Sequence, residues 1–141
     1  MEEKPKISVV LPVLAPTPFL RAMTEFAIKT LRAHADAPLE LIVVEAAHDY
    51  FDDTNAERGP RCSVIQSGGL WQRDPLLHID KYLNFTPKIG GVRELNAGVD
   101  AASGEFILST GNDVIAPPHW DTELLRCFER KDCAVASLSA F

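Results

Sequence analysis

The sequence predicts a three-layer α/β sandwich built on a mostly parallel sheet. Short β-branched runs alternate with segments of helical periodicity, the pattern of strand–helix–strand units. The two clearest runs, residues 7–13 and 39–45, are apolar almost throughout, as strands covered on both faces are. The Asp36-Ala-Pro38 link before the second run is as short as helix-to-strand connections usually are. With 141 residues, the chain can bury the core of one domain but not comfortably of two. A single domain over residues 1–141 is therefore expected.

Ile7-Ser-Val-Val-Leu-Pro-Val13 opens the sheet. Pro12 should end that strand, since proline cannot donate in a central ladder. Thr17-Pro18 reads as an N-cap followed by proline at the first helical position. Phe19, Leu20, Met23, Phe26, Ala27 and Leu31 then recur at helical spacing, predicting a helix of about 15 residues. Leu39-Glu-Leu-Ile-Val-Val-Glu45 is the second strand, and the unit should cross over right-handed. Residues 46–61 are polar and read as loop, and residues 62–66 as a weaker strand. Residues 67–89 contain Gly68-Gly69, Trp71, Pro75 and Pro87 without a sustained period. They read as an irregular insertion, a kind of segment that is often functional. Val92, Leu95, Val99 and Ala102 mark one face of a helix that Gly104 closes. Residues 105–110 form the next strand. Trp120, Leu124, Leu125 and Phe128 lie on one face of a last helix, and residues 133–138 form a last strand.

Hydrophobic residues at 46% and charged residues at 24% are an ordinary globular balance. The net charge of −6 argues against a nucleic-acid partner, which wants a positive surface. No run approaches the roughly 18 apolar residues of a membrane span. The opening Met-Glu-Glu-Lys-Pro-Lys lacks the apolar stretch of a signal peptide, so a cytoplasmic location is expected. Cys62, Cys127 and Cys133 have no metal-ligand spacing and read as reduced, mostly buried thiols. His48, His78 and His119 have no such spacing either.

The segment richest in chemistry is Gly104-Glu-Phe-Ile-Leu-Ser-Thr-Gly-Asn-Asp-Val114. A hydrophobic strand ends there in a short polar turn carrying one carboxylate, Asp113. Open α/β sheets bind ligands beyond the carboxyl ends of their strands. An Asp at that place is a hard oxygen ligand, suited to Mg²⁺ or Mn²⁺ carrying phosphates. The first strand is followed by no Gly-x-Gly-x-x-Gly, and the chain has no Gly-Lys-Ser/Thr loop. A Rossmann dinucleotide site or a P-loop is thereby disfavoured.

Four blocks resemble the amino-terminal, nucleotide-sugar-binding half of family 2 glycosyltransferases. They are Ile7-Ser-Val-Val-Leu-Pro12, Leu41-Ile-Val-Val-Glu45, the Gly90…Asn96-x-Gly98…Ala102-x-Gly104-Glu105 pattern, and Gly111-Asn112-Asp113 followed by Trp120. The last is similar to the Asn-Asn-Asp form of the Asp-x-Asp motif. The resemblance implies a truncated GT-A fold, that of nucleotide-diphospho-sugar transferases. It implies a nucleotide-diphosphate sugar as ligand, an acceptor of unknown identity, and Mn²⁺ or Mg²⁺ at Asp113. Asn112 would lie against the ribose or sugar, Glu45 would read the base or ribose, and Pro12-Val13-Leu14 would border the base. Lys88 and Arg93 would meet the diphosphate. The family's later region, which supplies the acceptor site and general base, has no counterpart here, and no catalytic base is identified. The early stop also leaves open a non-catalytic, degenerate module. Its exposed last strand would offer an edge to a second copy.

Each of these residues also has a plainer role open to it. Asp113 could cap the following helix. Glu45 could be a solvated loop residue, Asn96 and Gly98 could serve helix packing, and Lys88 and Arg93 could be solvated charges. Trp120 reads as a core anchor. Trp71 and Tyr82 could stack on a base or pin the irregular segment.

Overall fold

The computed structural model describes residues 4–14, 17–46, 63–65, 75–85 and 90–137. Strands β1 (Ile7–Val13), β2 (Leu39–Ala46), β3 (Ser63–Ile65), β4 (Lys81–Phe85) and β5 (Phe106–Ser109) form one sheet in the order β3-β4-β2-β1-β5. Four strands run parallel, and β3 joins antiparallel at one edge. Helices α1 (Pro18–Ala33) and α3 (Trp120–Cys127) pack on one face and α2 (Gly91–Ala101) on the other. Strand alternation divides the core accordingly. Val9, Leu11, Leu41 and Val43 face α1 with Ile28 and Leu31, whereas Val10, Ile42 and Val44 face α2 with Leu95, Ala97 and Ala101.

Local chemistry starts and stops the helices. Thr17 Oγ1 accepts the Leu20 N–H at 3.3 Å, with Pro18 following at the first helical position. Gly90 precedes α2 at φ 104°, a conformation side chains resist. Its N–H is taken by the buried Glu94 carboxylate at 3.2 Å. Gly98 lets α2 descend onto the sheet, since a Cβ there would lie 2.4 Å from Val10 Cγ1.

A polar knot joins the layers at the amino end of the strands. The buried Glu40 carboxylate accepts from Ser8 Oγ at 2.9 Å, Ser103 N at 2.9 Å and Ser103 Oγ at 2.7 Å, and Lys81 Nζ stands 3.2 Å away. Burial pushes its pKa up. The hydrogen bonds from Ser103, Ser8 and Lys81 outweigh that and hold it below the ordinary carboxylate value. A depressed folded pKa contributes stability that is full above the unfolded pKa and is lost as pH falls through the folded one. Glu40→Gln should therefore lower the urea midpoint at pH 7, and the gap to wild type should close below about pH 4.5. A gap independent of pH would show that the charge contributes nothing.

The structure corrects several expectations. β1 runs on through Pro12 to Val13 instead of stopping at the proline. Val10 O accepts from Thr110 N at 3.3 Å. Backbone groups two residues apart share a side, so Pro12 also faces β5, which has already ended, and its missing N–H breaks no ladder bond. Within the expected irregular stretch 67–89 lie a 3₁₀ turn, Pro75–Leu77, and all of β4. The expected face of α2 is rotated: Val92 and Val99 are exposed, while Glu94 and Gly98 are buried. Small residues dominate the contact because the helix approaches so closely. Gly104 does not close α2, which ends at an extended Ala102; instead it lies against Ser8. Residues 133–137 carry no strand. Their alanines and serine offer little area to a sheet, and Ala136 packs on the core instead. Among the described residues β5 forms that edge of the sheet, and the last strand expected to offer an edge to a second copy is not found in them; Leu138, its expected end, lies outside. Cys127 is exposed, not buried, because it closes α3 beyond the Trp120–Leu124 stripe. Residues 46–61 and Cys62 lie, but for Ala46, outside the described residues. No helix among the described residues is long and apolar enough to cross a membrane.

Candidate functional site

The topology defines one carboxyl edge. The chain leaves β1 through α1 toward β2, then returns from β4 through α2 across to β5. The strand order reverses between β1 and β5, the kind of switch point beyond whose carboxyl ends open α/β sheets bind ligands in a crevice. The sheet edge has a step there, because β5 pairs only as far as Val10↔Ser109 while β1 continues beside β2 to Val13↔Glu45. Pro12 and the half-exposed Leu14 border it on the β1 side; Val13 is buried in the α1-facing core.

Gly111-Asn112-Asp113 follow β5 as a tight turn. A Cβ on residue 111 would lie 2.7 Å from Asp113 Oδ1, so the carboxylate folds back over the glycine. Asp113 is exposed. The cap position of α3 is taken by His119, at φ 62°, which removes the alternative of Asp113 as a helix cap. Asn112 points at the protein, its Nδ2 donating to Thr24 Oγ1 at 2.9 Å. The buried Thr24 hydroxyl in turn donates to Leu20 O at 2.8 Å. Beyond the turn the chain runs along α1. Ala116 N donates to Thr30 Oγ1 at 3.1 Å, His34 Nδ1 to Ala116 O at 2.6 Å, and Trp120 Nε1 to Leu31 O at 2.9 Å. Four hydrogen bonds thereby fix the chain between the turn and the start of α3 to α1 and its C-cap.

Glu45 is fully buried rather than solvated. It pairs with Asn84 across β2 and β4. The Tyr82 hydroxyl donates to Glu45 Oε2, and Asn84 Nδ2 donates to the Tyr82 hydroxyl at 2.8 Å. Tyr82 is thus a core residue on β4, 1% exposed, not the pin of a loop. A buried carboxylate is retained only when hydrogen-bonded or paired, and this triad supplies such partners at the carboxyl ends of two strands.

Arg93 is exposed in the first turn of α2; Lys88 and Trp71 lie outside the described residues. Asn96 is exposed on α2 and Gly98 packs on the sheet. Among the described residues no three His, Cys, Asp or Glu side chains gather as a metal cage. Mg²⁺ is commonly held by one or two carboxylates, with substrate phosphates and waters completing the shell. The single exposed carboxylate of Asp113 fits that minimal role.

Sequence patterns brought Pro12, Asn112, Asp113 and Glu45 to this edge. They missed Thr24 and Asn84, and took Tyr82 for a stacking or loop-pinning aromatic rather than the buried partner of Glu45. Thr24 had one legible signal, a hydroxyl interrupting the apolar stripe of Leu20, Ala27, Ile28 and Leu31. An apolar groove of about 150 Å³ between β5, α3 and residues 134–136 includes none of the predicted site residues. The chain matches no protein-family model and no curated protein.

Proposed function

We propose that the chain is a GT-A-like domain that binds a nucleotide-diphosphate sugar with a divalent cation, in support of glycosyl transfer. One observation supports this reading: the exposed Asp113 lies in the turn that follows β5, the strand paired with β1, whose own carboxyl end carries Pro12 and Leu14. Asp113 would hold Mn²⁺ or Mg²⁺, and the cation would neutralise the diphosphate as it leaves the anomeric carbon. Pro12 and Leu14 would border the base, and Arg93 would meet phosphate. The buried Glu45–Tyr82–Asn84 triad would set the floor beneath the ribose. Asn112, committed to Thr24, would hold the turn rather than reach the sugar.

A second reading, a non-catalytic binding or assembly module, is favoured by Gly111. It stands where the family often has a first acid, and Asp113 already fills the space its side chain would need.

Calorimetry of the full chain with UDP, GDP and dTDP in the presence of Mn²⁺ tests the proposal. At least one nucleotide should bind, and Asp113→Ala should weaken it tenfold or more, the loss of one charge-assisted contact. Binding of none, or binding indifferent to Asp113→Ala, removes the metal-site claim. Turnover of a nucleotide sugar by the wild-type chain would remove the non-catalytic reading.

A further inference from the structure

We propose that Thr24 is a positioning residue, its buried hydroxyl fixing the Asn112–Asp113 turn and so the direction of the Asp113 carboxylate. The consequence for ligand affinity rests on the metal–diphosphate reading above; the positioning itself does not.

Thr24 is fully buried in the second turn of α1, whereas Asp113 is exposed. A hydroxyl has one proton, and here it is spent on Leu20 O at 2.8 Å. The oxygen lone pairs then face outward as acceptors, which selects a donor, and Asn112 presents its Nδ2 at 2.9 Å. Polarity is therefore defined along Leu20 O, Thr24 Oγ1 and Asn112 Nδ2, and the amide cannot flip without placing its oxygen against a hydroxyl that has no proton left for it. Asn112 and Asp113 are adjacent in a two-residue turn, so fixing one side chain restricts the backbone that aims the other. Gly111 completes the restriction, because Asp113 Oδ1 folds over it into space that only glycine leaves. The same device recurs six residues further along α1. There the Thr30 hydroxyl donates to Ala27 O at 3.0 Å and accepts Ala116 N at 3.1 Å. Two helix threonines thus hold the chain on either side of Val114 and Ile115, which are themselves exposed.

Thr24→Val keeps shape and removes the acceptor; Thr24→Ser keeps the acceptor. In the wild-type chain the Asn112 side-chain amide and the backbone amides of residues 111–114 should give dispersed signals in a ¹⁵N spectrum. Thr24→Val should shift them and speed exchange of the Asn112 amide, while Thr24→Ser should leave them near wild type. With Mn²⁺ and UDP as probes, Thr24→Val should weaken binding about tenfold and Thr24→Ser less than about twofold. Spectra and affinity unchanged in Thr24→Val overturn the proposal. So do equal losses in both variants that follow their melting temperatures, since a merely structural role behaves that way. If the wild-type chain binds neither Mn²⁺ nor UDP, the functional reading fails and the spectra decide: selective shifts in Thr24→Val uphold the positioning role, and their absence ends it.

Discussion

Trp120→Ala should cost about 3–5 kcal/mol of folding stability, the usual loss for deleting a buried tryptophan. Marginal domains hold about 5–15 kcal/mol in all, so the melting temperature should drop by roughly 10–20 °C. Three losses add. The ring is 2% exposed within the α1-facing core, so its removal leaves a cavity. Leu31 O loses the indole N–H at 2.9 Å. The left-handed His119 that delivers the ring loses the packing that offsets its strain. Trp120→Phe separates these effects, since it keeps most of the volume and removes the hydrogen bond; a loss of about 1–3 kcal/mol is expected. Thermal and urea unfolding give both values, and a loss below about 1 kcal/mol for Trp120→Ala would show that α3 is not anchored by this ring.

Gly104→Ala should cost about 3 kcal/mol, at the upper end for one added methyl in a packed interior. The new Cβ would stand 2.6 Å from Ser8 N and 2.7 Å from Ser8 Oγ. A surface lysine could swing aside from such a methyl, but Ser8 is held by the β1 ladder on both sides and its hydroxyl bridges Gly104 N and Glu40. β5 must therefore move off β1. The displacement would reach Gly111–Asp113, only a few residues beyond, so any ligand affinity at that turn should fall with stability. Urea unfolding decides the point: a variant within about 0.5 kcal/mol of wild type would mean that the strand yields without strain.

The alternation of buried strands and amphipathic helices was legible in the sequence because it rests on periodicity and caps. The start of β1 at Ile7 and the Thr17-Pro18 cap are observed where they were expected, although the strand continues past Pro12. β4 was hidden by its polar residues: Lys81 and Asn84 interrupt the run, and what satisfies them is fixed by the fold, Glu40 for Lys81 and, for Asn84, the Tyr82 hydroxyl that is itself held against Glu45. The faces of α2 were misjudged because the helix packs through small residues, whereas hydrophobic spacing weighs the large ones. The segment at 133–138 has strand-like composition, but pairing depends on neighbours that composition does not encode. At the site, Asp113 could be placed from its position after a strand. The inward turn of Asn112 could not, because it depends on Thr24, 88 residues away.

The bonds that hold residues 112–120 to α1 span 82 to 89 residues of sequence. Contacts of such separation form only after long loops have closed, and the entropy of closure is met before the contact returns anything. The Asp113 turn is therefore expected to assemble late in folding. β1, α1 and β2 can associate through nearby segments, but the carboxylate acquires its direction only once β5 has crossed the sheet and the chain has returned along α1. Nascent or partly opened molecules would keep much of the helix content and lack the site. Ligand binding at the crevice would then report on completion of the whole fold, whereas circular dichroism would register its first third.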